Sequence, residues 1–318
     1  MDALVGHSGF VGSNLKSQHR FAALFNSRNA SEIAERRFKR LVCSALPASM
    51  WLANNDPDAD RANMLQLAES LEGVAAEMVI LISTIAVYRD ASQPVDELQD
   101  DFETKFAYGQ HRREFEERIA RQFESHLIVR LPALIGANLK KNFIFDILNP
   151  VPSFLTEETL KSVRDNATPA GQSLIEHAFS LNETTGMWCF NRDGYGHGST
   201  GAALNSLFEG PGTSALQFTH ADSTFQFYNL DNLWRDIERA EGAGLRLLNL
   251  TAEPLRAGDI YSALRGRDMT ERVASQIHQD MRSRYSSLWD QRDGYLYGQN
   301  ETLADIKRFA ENWGAATP

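Results

Sequence analysis

Two stretches of this chain carry side chains that could do acid–base chemistry. Tyr108 and Arg112 stand four residues apart at the start of an amphipathic run, so they share one helical face. A permanent cation one turn from a phenol favours the phenolate and lowers the tyrosine pKa toward a working range. The other stretch, Ser83-Thr84-Ile85-Ala86-Val87-Tyr88, directly follows the apolar run Glu77–Ile82. A hydroxyl at the carboxyl end of a parallel strand can bond a substrate carbonyl or alcohol. Without any function, the same residues would be a turn cap and an exposed tyrosine stacked on arginine. A third stretch suits phosphate. Gly6, Gly9 and Gly12 follow the apolar run Ala3–Val5 at three-residue spacing and lead into a helical pattern. That order opens a dinucleotide-binding βαβ unit: one glycine for the tight turn, one for close approach of a pyrophosphate, one for helix–strand packing. The free N–H groups of the helix start then face the phosphates.

The elements that must position these residues are read from periodicity. Helical patterns cover 9–19, 31–37, 60–71 and 106–123; strand patterns cover 21–25, 40–45, 77–82 and 127–131. The Asp60–Leu71 helix shows an apolar face of Met64, Leu65, Leu67, Ala68 and Leu71. Alternating strands and helices predict an α/β fold, a Rossmann-type doubly wound parallel sheet, over residues 1–137. Residues 138–318 are expected to form a smaller substrate lobe, with elements at about 225–264 returning to the sheet. Within it, 138–227 reads as irregular, with a glycine-rich loop or lid at 194–201. Helices are expected at 230–240, 259–264, 268–287 and 301–313, and a strand at 245–250.

Composition narrows the function classes. The chain has 318 residues, 42% hydrophobic, and a formal net charge of −10. That is enough apolar material for a large core, and an acidic chain is a poor partner for nucleic acid or anionic membrane. The two cysteines, Cys43 and Cys189, do not suggest a disulfide framework. No metal-ligand spacing appears among the eight histidines, and there is no Gly-x-Ser-x-Gly nucleophile elbow. His111 reads as a surface residue. With no basic-then-apolar leader and no membrane-length run, a cytoplasmic protein is expected.

Taken together and in order, these motifs resemble the extended short-chain dehydrogenases/reductases, the NAD(P)-dependent epimerase/dehydratase family acting on nucleotide sugars. The residues that carry the resemblance are the glycines at 6–12, Asn63, Ser83-Thr84-x-x-Val-Tyr88, Tyr108-x-x-x-Arg112 and Arg130-Leu-Pro-Ala-Leu-Ile-Gly136. The resemblance implies Tyr108 as the acid/base tyrosine, Thr84 as its hydroxyl partner and Arg112 in place of the lysine that binds nicotinamide ribose. It implies cofactor contacts from Gly6, Ser8, Gly9, Phe10, Val11, Gly12, Asn26, Ser27, Arg28, Ser44, Ala45, Leu46, Ser83, Leu131 and Pro132, besides Tyr108 and Arg112. Substrate contacts are expected from Thr84, Tyr88, Asn138 and Lys141. Two departures matter. Arginine replaces lysine at 112, and Ile85-Ala86 stand where sugar 4,6-dehydratases carry an Asp-Glu pair, which argues against dehydration.

The end of the second strand selects the cofactor. It reads Asn26-Ser27-Arg28-Asn29, where NAD-preferring folds place an acid for the ribose 2′-OH. Arginine and serine suit a 2′-phosphate, so NADP(H) is expected over NAD(H). The expected activity is reduction of a keto group on a nucleotide-activated sugar or other small carbonyl compound. The alternatives are an NAD-dependent epimerase, or a non-catalytic NAD(P)-binding regulator because of Arg112. A homodimer through the helix at 104–124 is implied only by the resemblance.

Overall fold

The computed structural model describes residues 1–34, 36–196, 198–210 and 212–313. The elements are, in chain order, β1 Asp2–Val5, α1 Phe10–Gln18, β2 Ala23–Phe25, β3 Arg37–Cys43, α2 Met50–Asn55, α3 Pro57–Ser70, β4 Ala75–Thr84, α4 Ala107–Gln122, β5 His126–Leu131, β6 Ala133–Ile135 and α5 Phe143–Leu148. They continue with β7 Phe154–Leu155, α6 Glu157–Asp165, α7 Pro169–Ala178, β8 Phe179–Asn182, β9 Met187–Phe190, α8 Arg192–Tyr195 and α9 Gly198–Leu207. The last are β10 Thr224–Phe225, β11 Phe227–Asn229, α10 Leu233–Gly242, β12 Leu247–Asn249, β13 Leu255–Arg256, α11 Ala257–Arg265 and α12 Gln299–Glu311.

Six strands form the central parallel sheet in the order β12-β5-β4-β3-β1-β2. Side chains alternate between its faces, as strand geometry requires. Leu4, Val42, Ile80, Ile82 and Val129 pack with Leu15 of α1 and Trp234 and Ile237 of α10. Ala3, Val5, Leu41, Cys43, Val79 and Leu81 pack on the other face, with Met64 and Ala68 of α3 and Phe115 and Ile119 of α4. The chain runs from β1 to β2 on one side, then returns to place β3 on the other side of β1. Strand order therefore reverses at β1. Val5 lies level with Phe25 of β2 and Cys43 of β3, so the crevice opens just beyond Val5, where ligands bind in such sheets. Between β2 and β3 the expected helix at 31–37 is corrected: the described residues there form a 3₁₀ turn at Ala30–Ile33, and Arg37 already begins β3; β2 is an edge of the sheet.

Three other sequence readings need correction. The 138–227 region is structured: α6–α9 pack with the antiparallel sheet β7-β9-β8 around Val151, Leu160, Ile175, Phe179 and Phe208. Its strands have two to four residues each, too short to show a period. The glycine-rich stretch is not one loop, because α8 ends at Tyr195 and α9 begins at Gly198; His197 lies outside the described residues. The expected 268–287 helix is absent. That segment is extended, and its backbone donors go to distant partners: Ile277 N–H to Ser223 Oγ, Asp280 N–H to Ala91 O, Met281 N–H to Gln226 Oε1 and Arg282 N–H to Val95 O. The strand near 245–250 does rejoin the sheet, as β12 beside β5. Both cysteines are free, and burial pushes the Cys43 thiol up to about 11. No described helix is long and apolar enough to cross a membrane.

Candidate active site

The glycine turn is built by close approach. Gly6 has φ +87°, and a Cβ there would lie 2.8 Å from the Ala45 and Ser44 backbone. A Cβ at Gly12 would collide with the Gly6 carbonyl oxygen and lie 2.9 Å from Ser44 Oγ. Those two glycines are required by the fold itself. Gly9 is different. It has φ −76° and ψ 173°, which any residue adopts, and its Cβ would meet only the Gly6 carbonyl oxygen, at 3.4 Å. Apart from its chain neighbours, no other described atom lies within 4 Å of that position, so nothing among the described residues demands glycine at 9. Gly9 is the N-cap of α1, with no side-chain cap and no acid in the first turn. The first N–H groups of that helix are thus left for an anion. The uncapped helix start suits an anionic group such as a pyrophosphate.

The neighbouring loops frame the crevice. Ser44 Oγ donates to the Val5 carbonyl, and Ala45 packs against Gly6; these and Leu46 follow the end of β3. At the end of β2, Asn26 and Asn29 close a tight turn on each other's backbone, and Asn26 Nδ2 lies 3.2 Å from His7 Nε2. Ser27 and Arg28 are left exposed, and Arg28 has no ion-pair partner among the described residues. Asn14 ties α1 to the loop after β6 through both the N–H and the C=O of Ala137. Leu131, the last residue of β5, and Pro132, between β5 and β6, are buried. Asn138, on the loop after β6, has φ +68° and reaches Ser13 Oγ at 3.3 Å. Lys141 donates to the Ala48 carbonyl at 2.7 Å, spanning from the β6 loop to the β3 loop.

Thr84 and Tyr108 do come together. Thr84 ends β4 and caps the 3₁₀ turn Ile85–Val87, its Oγ1 accepting from Ala86 N–H at 3.2 Å. Gly109 lets α4 start against that turn, because a Cβ there would collide with the Ala86 carbonyl. Asn54 Oδ1 of α2 accepts the Tyr108 N–H at 3.0 Å. The Thr84 hydroxyl is near enough to favour the ionised phenol, although the two share no hydrogen bond among the described residues.

Arg112 departs from its expected role. It is 1% exposed, and its guanidinium forms a bidentate pair with Asp60, Nη1–Oδ2 2.5 Å and Nη2–Oδ1 2.9 Å. Nη2 also donates to the Pro47 carbonyl at 2.6 Å and Nη1 to the Tyr108 carbonyl at 3.2 Å. Only Nε lacks a partner, and the group lies over the Tyr108 ring at 3.9 Å. Four backbone and carboxylate bonds thus take the donors that a nicotinamide ribose would need. The expected effect on Tyr108 also reverses. Burial raises the phenol above its ordinary value, and Arg112 and Thr84 do not overcome this, while Asp60 pushes it further up.

Three more expectations are corrected. Tyr88 is 3% exposed, and its hydroxyl is taken up by Arg130 Nη1 at 2.7 Å and by Asn249. Ser83 Oγ donates to Glu116 at 2.6 Å, in a buried network where Arg130 also grips Glu116 with two nitrogens. Ser83, next to last on β4, and Tyr88, just past the 3₁₀ turn, are thus both buried in this network. His111 is 6% exposed rather than on the surface, its Nδ1 2.8 Å from Asp60. Asn63 is exposed, whereas Asp60 of α3 reaches Arg112 and His111 of α4. Sequence reasoning missed Asp60, although it stands four before Met64 and eight before Ala68, on the buried stripe of α3. Among the described residues no cluster of His, Cys, Asp or Glu is placed to hold a metal ion.

No family model matches the sequence, and no curated protein matches it. Solved structures do match along its whole length. A dTDP-4-dehydrorhamnose reductase from Clostridium acetobutylicum is 13% identical, covering 98% of this chain and 99% of that one, with a TM-score of 0.58. The UDP-N-acetylglucosamine 4-epimerase of Methanobrevibacter ruminantium, solved with UDP-N-acetylmuramic acid, is 9% identical, with coverages of 99% and 98% and a TM-score of 0.61. A dTDP-4-dehydrorhamnose reductase from Bacillus anthracis, in complex with NADP, is 10% identical, with coverages of 97% and 96% and a TM-score of 0.60. At these identities the likeness shows the fold alone, a Rossmann-type parallel sheet flanked by helices.

Proposed function

We propose that the protein is an NADP(H)-dependent oxidoreductase that reduces a carbonyl group, with a nucleotide-activated keto-sugar as the substrate class. The observation that carries this reading is the Thr84–Tyr108 pair, held at the same carboxyl edge of the sheet as a glycine turn where nothing among the described residues demands Gly9. When bound, a reduced nicotinamide supplies hydride. The residues of this chain do the rest. The α1 start and the glycine turn hold the pyrophosphate, Arg28 and Ser27 take the 2′-phosphate, and Tyr108 gives its proton to the carbonyl oxygen while Thr84 shares the hydrogen bond. Asn138 and Lys141, on the loop after β6, bind the far end of the substrate in this reading; their bonds to Ser13 and to the Ala48 carbonyl hold that loop against α1 and the β3 loop. The folds of two reductases acting on a dTDP-sugar support the substrate class, and the NADP bound by one of them supports the cofactor.

One observation favours a second reading. Because the Arg112 donors are spent on Asp60 and Pro47, the chain could bind a dinucleotide without turning over substrate. A panel of nucleotide sugars and keto-sugars, followed by NADPH oxidation, separates the two. Turnover of any member supports the reductase. Tight NADPH binding with no turnover across the panel supports the binding protein, and retention of NAD through purification supports the epimerase.

A further inference from the structure

We propose that Asp60 is the positioning residue of this site: by holding the Arg112 guanidinium in a buried neutral pair, it keeps Tyr108 a neutral phenol that works as a proton donor throughout the neutral range. The inference rests on the reading of Tyr108 as the donor and adds to it a residue on another helix.

The argument is geometric. Arg112 and Asp60 are 1% and 6% exposed, and their two parallel N–H···O bonds match the fork of a guanidinium to a carboxylate. Charge and countercharge are therefore fixed side by side, with the guanidinium 3.9 Å from the Tyr108 ring centroid. A lone cation at that distance would draw the phenol toward phenolate; one matched by a carboxylate acts as a dipole, and its pull on the ring is much weaker. The other groups around Tyr108 do not restore the missing charge. The end of β4 presents the Thr84 hydroxyl, α2 presents Asn54 and no charged side chain, and α4 presents Arg112 alone. His111 faces Asp60 from the far side. Burial then keeps the phenol protonated, consistent with the raised Tyr108 pKa. In the reduction, Tyr108 gives its proton to the carbonyl oxygen as the carbonyl carbon accepts hydride and the C=O π pair moves onto oxygen. The phenolate left behind regains a proton from solvent. The high starting pKa places the alkaline limb of the reduction well above neutral pH.

The test reads tyrosine ionisation directly, by phenolate absorbance across an alkaline pH titration, with Tyr108→Phe subtracted to isolate Tyr108. Asp60→Asn leaves the Arg112 charge unmatched, and the Tyr108 midpoint should fall by about one unit or more, a tenfold change in its ionisation constant. The alkaline limb of turnover should fall with it, and Asp60→Glu should restore both. If Asp60→Asn does not fold, the double variant Asp60→Asn with Arg112→Gln replaces the ion pair by two amides. The proposal expects the double variant to titrate as the wild type does. A midpoint that rises by a unit or more in it would mean that the arginine acts unmatched, and would overturn the proposal, as would an unmoved midpoint in folded Asp60→Asn. Because this readout needs no substrate, it stands apart from the donor assignment, which fails separately if Tyr108→Phe retains turnover.

Discussion

Gly9→Val separates what the fold requires of the glycine turn from what a ligand requires. The backbone at 9 suits valine, and a Cβ there meets only the Gly6 carbonyl oxygen, at ordinary contact distance. Valine is a poorer N-cap than glycine, but its narrower unfolded ensemble offsets about 0.4–1 kcal/mol of that loss. Net stability should change by about 1 kcal/mol or less, a shift of about 2–4 °C in Tm. Binding should change far more. The side chain fills the approach to the first N–H groups of α1, and losing two hydrogen bonds to a charged pyrophosphate costs about 3–5 kcal/mol. That is a loss of affinity of more than about a hundredfold. Calorimetric titration with NADPH and a thermal melt read the two effects on the same sample. Gly12→Ala is the contrast, because its Cβ collides with the Gly6 carbonyl; it should lose several kcal/mol of stability together with binding, on the order of the large values seen for core overpacking and strain. If Gly9→Val binds NADPH as tightly as the wild type, the turn is structural only and the cofactor assignment fails.

Other consequences follow from single groups. Arg28→Ala should weaken NADPH about tenfold or more and leave NADH unchanged, from the loss of one charged hydrogen bond of about 1.5–3 kcal/mol; equal weakening of both cofactors would remove Arg28 from the 2′-phosphate. Glu116→Ala strands the buried Arg130 and should cost about 3–5 kcal/mol in chemical denaturation, so a loss under about 1 kcal/mol would contradict the network. Burial pushes the Asp146 carboxyl up to about 7, with Arg192 offsetting only part of it. A carboxyl raised in the folded state stabilises most below its unfolded pKa of about 4 and loses that contribution as pH rises through about 7. Asp146→Asn should therefore raise Tm at pH 8 relative to the wild type and not at pH 4, and an equal effect at both pH values would refute the assignment.

The sequence and the structure agree where one strong constraint acts. The glycine turn at 6–12 follows from φ and close approach, and the run Glu77–Ile82 followed by Ser-Thr places Thr84 at a strand end. The Tyr108 helix begins where the amphipathic pattern does. What was hidden depended on tertiary partners. Arg112 looked like a free cation because its spacing from Tyr108 is local, while Asp60, which holds it, lies on another helix. A lone acid on the Met64–Ala68 stripe was the available signal. Ser83 and Tyr88 share the strand-end motif with Thr84, yet side-chain direction aims them at Glu116 and Arg130. The extended 268–287 segment owes its form to Ser223, Gln226, Ala91 and Val95, none of them near it in sequence.

The central claim is that Tyr108 donates the proton in an NADPH-dependent carbonyl reduction. It is tested most directly by single-turnover oxidation of bound NADPH in the wild type and Tyr108→Phe, on the keto-sugar nucleotide that the wild type turns over best. General acid help is commonly worth about 10²–10⁴-fold. Tyr108→Phe should therefore slow the hydride step within that range while binding NADPH with wild-type affinity. A variant that oxidises NADPH at the wild-type rate, or a wild type that binds NADPH and turns over no carbonyl compound, would contradict it.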